Sequence, residues 1–281
     1  MITIKDLEFG YSKGQNVLNG VSLCFESGNI YGLFGKNGEG KTSLMKIMSG
    51  LLYPKRGVYT LDGMSVFARK AHWLQHLFLV PEDFELPSIP ISSYQNINAP
   101  FYSNFSKSQF QELIQEFGLL PHLNIGTLSF GQRKKVLIAF ALSTNTQFLF
   151  MDEPTNGLDI PSKSQFRRVM ASVATNNKCI IISTHQVRDL YSLINHVMVL
   201  DHAKVVFDQS LAAVADKLWF GKANNERREG ALFSETGLGG KSILPKKGLE
   251  ETEVDLELLF QGILSAPHQI NAILKAGSYG I

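Results

Sequence analysis

Cysteine is nearly missing from this chain of 281 residues: only Cys24 and Cys179 occur, far apart and in no C-x-x-C pair. That argues against a disulfide framework or a cysteine zinc site, and it fits a reducing cytosol. Long hydrophobic runs are missing too. A membrane-spanning helix needs roughly 18 or more consecutive apolar residues. The nearest approach, 136–151, is broken by Ser143-Thr144-Asn145-Thr146-Gln147, so the chain is expected to have no membrane span of its own. The opening residues Met1-Ile2-Thr3-Ile4-Lys5 do not read as a signal peptide. Charge of one sign is also absent: 27 basic and 25 acidic residues leave +2. Such a balance gives no broad electrostatic pull on nucleic acid, and no nucleic-acid partner is expected. There is no internal repeat and no low-complexity tract.

What is present is a substantial apolar fraction, 44%, enough for one large domain or one domain with an extension. Residues 2–7 and 21–25 alternate as half-buried strands do, with a turn at Glu26-Ser27-Gly28-Asn29. Residues 57–63 form a short strand between glycines. Short, continuous apolar runs at 30–34, 148–151, 179–183 and 197–200 are separated by helical stretches at about 161–175 and 186–194. That alternation predicts a mainly parallel sheet buried on both faces, an α/β fold. Between about 83 and 145 the character changes: Pro87, Pro90, Pro100 and Pro121 punctuate it, and 106–120 has helical spacing with Ser106 as N-cap. From 203 onward the chain is rich in glycine and short segments, with 224–230 expected as an exposed loop.

The strongest local pattern is Gly35-Lys36-Asn37-Gly38-Glu39-Gly40-Lys41-Thr42, followed by Ser43. It fits G-x-x-x-x-G-K-[ST], a phosphate-binding loop, and sits where such a loop must sit, between the strand at 30–34 and a helical run at 41–49. The glycines let backbone N–H groups turn inward around a phosphate chain, and the helix N-terminus adds a positive dipole end. Lys41 would reach the β- and γ-phosphates, and the Thr42 hydroxyl would hold Mg²⁺. The strand 148–151 ends in Asp152 and Glu153. A buried strand delivers Asp152 at its tip to order Mg²⁺ through water, and Glu153 to polarise the attacking water.

Leu128-Ser129-Phe130-Gly131-Gln132 lies upstream of that strand; Asn156-Gly157-Leu158-Asp159 and then Thr184-His185 lie downstream. With these motifs in this order, the chain resembles the nucleotide-binding domain of ABC transporters over about residues 2–208. The resemblance implies a P-loop NTPase with a mainly parallel core sheet, an antiparallel β subdomain and a helical subdomain inserted at about 83–145. Residues 1–208 would form the ATPase domain, and 209–281 a C-terminal appendage. It implies ATP and Mg²⁺ as cofactors. Tyr11 stands where the family stacks a ring on adenine. Ser129, Gly131 and Gln132 are the signature residues that meet the γ-phosphate of ATP held by a second copy. Asp159 is the residue coupling the two sites across the dimer, and His185 is the switch histidine, catalytic together with Glu153.

Two departures from the family pattern stand out. Phe130 replaces the usual signature glycine, so the signature is expected to pack differently on the helical subdomain. Glu82, after Leu79-Val80-Pro81, stands where the family has a glutamine. A carboxylate offers Mg²⁺ charge and acceptors but no donor amide for water, which predicts tight metal dependence or slower cycling. Gln75 is the equivalent only if the alignment slips.

The same resemblance implies an ATP-hydrolysing subunit that dimerises with itself, or with a homologous ATPase, around two ATP molecules. It would drive a separate transmembrane permease docked around residues 84–105, from the cytoplasmic face of the cell membrane as a peripheral protein. The acidic–apolar stretch Glu253-Val254-Asp255-Leu256-Glu257-Leu258-Leu259-Phe260 is similar to a helix near the C-terminus of ABC-2-type exporter ATPases, and 231–233 and 242–244 are expected as strands beside it. Two other classes stay open: a soluble ABC ATPase that moves no solute, for example in iron–sulfur assembly, and an ATP-sensing regulatory module.

Overall fold

The structure, a computed structural model, describes residues 1–12, 14–65, 70–173, 177–222, 230–235, 240–246 and 248–275. The chain opens with antiparallel strands β1 (Ile2–Phe9) and β2 (Leu18–Phe25), then leaves them along β3 (Ile30–Phe34) to start the central sheet. After helix α1 (Lys41–Met48), β4 (Arg56–Leu61) and β5 (Met64–Ser65) return to the antiparallel sheet, whose order is β2-β1-β4-β5. The pairing of β1 with β4 slips between Lys5 and Glu8, where Asp6 takes φ 48°. Gly57 is required opposite this bulge: its φ is +96°, and a Cβ there would sit 2.6 Å from Leu7 Cα.

A short helix α2 (Ala71–Leu74) leads to β6 (Leu77–Val80). The central sheet is completed by β7 (Phe148–Asp152), β8 (Cys179–Thr184), β9 (His196–Asp201) and β10 (Lys204–Ser210), in the order β10-β9-β3-β8-β7-β6. All its pairs are parallel except β9–β10. The fold is that of a P-loop NTPase, as expected, and β10 runs through the anticipated boundary at 208. β3, β7 and β8 are buried at every position, and successive side chains feed two different cores. Phe148, Phe150 and Ile181 pack with α1 and the antiparallel sheet, while Leu149, Met151, Ile180 and Ile182 face the helices. A strand apolar on both faces fits only between two covering layers.

The segment between β6 and β7 is helical: α3 (Ile91–Asn98), α4 (Lys107–Glu116) and α5 (Phe130–Ser143). Ser106 caps α4 by accepting from the Gln109 N–H at 3.2 Å. Phe140 gathers this segment, with Phe78, Tyr94, Tyr102, Phe105 and Phe110 rings 5.0–6.1 Å from its own.

After β7 comes α6 (Ile160–Val173); the end of the expected helix at 174–175 lies outside the described residues. The helix expected at 186–194 is only a 3-10 turn, Val187–Leu190. It stops because Tyr191 turns extended and Ser192 takes φ +75°, a conformation no helix continues through. Beyond β10 the chain forms α7 (Leu211–Lys217), then β11 (Leu218–Lys222), β12 (Phe233–Ser234) and β13 (Lys241–Pro245) in the order β11-β13-β12. It ends with α8 (Leu256–Ser265) and α9 (Pro267–Lys275). Of the strand expected at 231–233 only Phe233 falls within β12, with the Leu232 N–H also donating to Ile243 O at 2.8 Å, and 224–229 of the expected loop lie outside the described residues. The tail does not stand apart: Phe220, Ile243, Leu259 and Ile263 share a core with Phe34, Ile194 and Val199 of the sheet region. No helix among the described residues is long and apolar enough to cross a membrane.

Candidate functional site

At the end of β3 the chain turns through residues 35–40 into α1. Two glycines there admit no side chain: a Cβ on Gly35 would lie 2.6 Å from Leu200 O, and one on Gly40 (φ +98°) 2.8 Å from Val17 O. Gly38 (φ +90°) needs only the left-handed backbone. Lys41 folds back over the loop, with Nζ donating to Gly35 O at 2.6 Å and Lys36 O at 3.0 Å. Burial pulls the Lys41 pKa down, against the carboxylates of Glu153, Asp152, Glu82 and Glu39, which push it up. Glu39 itself points away from this group, accepting from the Ala203 N–H at 3.4 Å.

A cavity of about 330 Å³ opens above the loop. Tyr11 and Val17 line it, with Asn37, Gly38, Gly40, Lys41, Thr42 and Ser43, and the acidic groups Glu82, Asp152 and Glu153. Tyr11 is 66% exposed; its ring stands edge-on to Phe9, and its hydroxyl is 3.0 Å from Ser43 Oγ. Asp152, at the tip of β7, accepts a short hydrogen bond from Ser183 Oγ. Glu82, just past β6, accepts from Asn156 Nδ2 at 2.9 Å. Gln75 lies ahead of β6, at the other end of that strand, and does not line the cavity.

Glu153 is the most constrained of these groups. It is 4% exposed and takes φ +45°. Its Oε2 accepts from Thr184 Oγ1 at 3.0 Å, and its Oε1 receives the His185 N–H at 2.9 Å with His185 Nδ1 at 2.7 Å. Ser183 and Thr184 therefore bond the acidic pair alongside His185. Two hydroxyls closing an otherwise apolar strand are the signal that could have singled them out.

Ser129, Gly131, Gln132 and Asp159 lie outside that cavity and are engaged locally. Ser129 caps α5 in a reciprocal box: its N–H donates to Gln132 Oε1 at 3.0 Å, and the Gln132 N–H donates to Ser129 Oγ at 3.3 Å. Asp159 caps α6 through the Ser162 N–H at 2.9 Å, and that bonding to Ser162 lowers its pKa. A Cβ on Gly131 would lie 3.0 Å from Gly157 O, so the signature and the turn before Asp159 are in close contact. Phe130 fits into the same contact. Its ring is 5.3 Å from Phe84 and would touch a Cβ on Gly157 at 2.8 Å.

Sequence reasoning missed Lys134. It lies on the buried side of α5, fully inaccessible, with Nζ 5.6 Å from the centre of the Phe130 ring. Asp189 was missed as well: it accepts from Thr155 Oγ1 and Lys163 Nζ, each at 2.7 Å, tying the 3-10 turn to the segment after Glu153 and to α6.

The donors that Thr42, Glu82 and Asp152 bring to one cavity are all oxygen, which fits a hard divalent cation such as Mg²⁺ and not a thiophilic metal.

Residues 18–156 match the family model described as ABC transporter. The ABC transporter ATP-binding protein NatA of Bacillus subtilis is 28% identical over 224 residues, 76% of this chain and 91% of that protein. The methionine import ATP-binding protein MetN of Caulobacter vibrioides is 30% identical over 261 residues, 86% of this chain and 77% of that one. Among solved structures, an ATP-binding subunit of an ABC transporter superposes with TM-score 0.69 at 24% identity, over 76% of this chain and 91% of the other.

Proposed function

The chain belongs to the ABC transporter family as one of its ATP-binding subunits, and on that premise we propose that it hydrolyses ATP in a Mg²⁺-dependent reaction within a dimer and so drives a separate permease. The observation that carries this reading is the single cavity shared by Lys41, Thr42, Asp152 and Glu153, with Glu153 held by Thr184 and His185.

ATP phosphates are received by the N–H groups at the start of α1, and Lys41 exchanges its loop carbonyls for phosphate oxygens. Tyr11 offers the adenine its exposed ring. Thr42, Asp152 and Glu82 would hold Mg²⁺, which would supply charge neutralisation for the phosphates when bound. Glu153 orients the attacking water and takes its proton as the bond between the β-bridging oxygen and the γ-phosphorus breaks, giving ADP and phosphate. His185 contacts the γ-phosphate. Ser129, Gly131 and Gln132 present the N-terminus of α5 to the ATP of the second copy, and Asp159 lies on the path between the two sites.

Residues 1–208 act as the ATPase unit and 209–281 as an appendage packed on it. The permease docks on the helical segment around 84–105, where Ile97 and Phe101 are 61% and 71% exposed. On that reading the protein works from the cytoplasmic face of the membrane. The direction favoured is export, supported by the acidic–apolar start of α8.

The test is Mg²⁺-dependent ATP turnover of the purified chain beside Glu153→Gln, with sizing in ATP. Turnover in the wild type alone, with ATP-held dimers in the variant, is the expected result. Wild-type-like turnover in the variant refutes the role of Glu153.

A further inference from the structure

Lys134 is buried completely, yet among the described residues its ammonium makes no hydrogen bond to a carboxylate; it donates to two backbone carbonyls, Glu153 O at 2.8 Å and Asn156 O at 3.2 Å. A buried ammonium is unfavourable unless its protons are used, and a methionine would fill the same slot without that penalty. What the cation holds is unusual. Glu153 has φ +45°, a region that non-glycine residues seldom occupy and that the surrounding structure must enforce.

The Glu153 peptide is pinned from both sides. Its N–H donates to Ser183 O at 3.1 Å, and its carbonyl accepts from the Asn156 N–H at 3.2 Å besides Lys134. The bond from Lys134 is the shorter and the charge-assisted one, so it is the stronger restraint on that carbonyl.

We propose that Lys134 is a positioning residue for Glu153: from α5 it fixes the Glu153 carbonyl and thereby the strained backbone that aims the carboxylate at Thr184 and His185. The inference rests on the reading of Glu153 as the group that orients the attacking water. Without the ammonium, the peptide relaxes toward negative φ and the carboxylate leaves its three donors. The restraint comes from the helix that begins at Ser129, and the ammonium also lies against the ring of Phe130. A displacement of that helix therefore reaches Glu153 through one side chain.

The experiment is a double-mutant cycle of Lys134→Met with Glu153→Ala, reading ATP turnover and the affinity for a fluorescent ATP analogue. Alone, Lys134→Met is expected to lower kcat about ten-fold or more with analogue affinity changed less than about two-fold, because Lys134 does not line the nucleotide cavity. In the Glu153→Ala background it is expected to add nothing to the loss. Lys134→Gln keeps an N–H donor in the slot and is expected to fall between wild type and Lys134→Met; it carries the test if the methionine variant does not fold. Equal losses in both Glu153 backgrounds, or a parallel loss of analogue affinity, overturn the inference in favour of a merely structural lysine. An unchanged kcat in Lys134→Met beside a large loss in Glu153→Ala overturns it alone. Undiminished turnover in Glu153→Ala overturns the reading of Glu153 and this inference with it.

Discussion

His185 and Glu153 meet at one oxygen: Glu153 Oε1 accepts the backbone N–H of His185 at 2.9 Å and lies 2.7 Å from its Nδ1. A carboxylate that is ionised only accepts, so against it Nδ1 would be the donor. Nε2 is left on the open side of the ring, 3.4 Å from Gln186 Nε2. One nitrogen thus orients the ring, and the other is available to a ligand.

His185→Ala is accordingly expected to lower ATP turnover about a hundred-fold, within the range for a positioned acid–base group, while ATP still binds. Single-turnover hydrolysis beside nucleotide titration checks this. Wild-type turnover in the variant would remove His185 from the machinery.

Glu82→Gln keeps an acceptor for Asn156 Nδ2 but removes a negative charge from the cavity that holds Asp152 and Glu153. The Mg²⁺ concentration for half-maximal turnover is expected to rise about three- to ten-fold, the size of roughly 1 kcal/mol. A metal titration that superposes on the wild type, at equal kcat, ends the idea that this carboxylate sets metal dependence.

Tyr11→Ala is expected to weaken ATP binding by about 1–3 kcal/mol, the range for a base stacked on an aromatic ring. Tyr11→Phe loses only the contact with Ser43 Oγ and should retain most of the affinity. Equal affinities for wild type and the alanine variant in a fluorescent-nucleotide titration would make Tyr11 a bystander.

The two cysteines should differ sharply in reactivity. Cys24 is exposed, whereas Cys179 is buried in β8 and burial pushes its thiol up to about 12. Because the thiolate is the reacting form, a thiol reagent near pH 8 is expected to modify one cysteine quickly in the native protein and the second only on unfolding. Rapid modification of both in the folded chain would contradict the burial of β8.

The phosphate loop was legible in the sequence because its demands are local. Gly35 and Gly40 stand where a Cβ would strike Leu200 O and Val17 O, so glycine is dictated residue by residue. β3, β7 and β8 were legible because burial on both faces leaves an unbroken apolar run. Lys134 was not, since a lysine on an apolar helix reads as a solvated interruption until packing brings Glu153 O to it. The shortened turn at 187–190 escaped for a similar reason: apolar spacing continues through Leu193 and Ile194, but Ser192 reverses the backbone. The contact of the tail with the sheet, as in Phe260 against Phe34 at 6.1 Å, joins positions too distant in the chain for any local pattern to report.

Lys41 gives the loop an occupant of its own. Its ammonium already has two carbonyl partners, at 2.6 and 3.0 Å, so an incoming anion gains nothing from it unless it outcompetes both. An ionised phosphate oxygen is a stronger acceptor for an ammonium than a backbone carbonyl, so it is the kind of group that can replace them. A ligand therefore gains the Lys41 ammonium only by offering acceptors that replace both carbonyls, which sets the loop a demand on the ligand's acceptor strength.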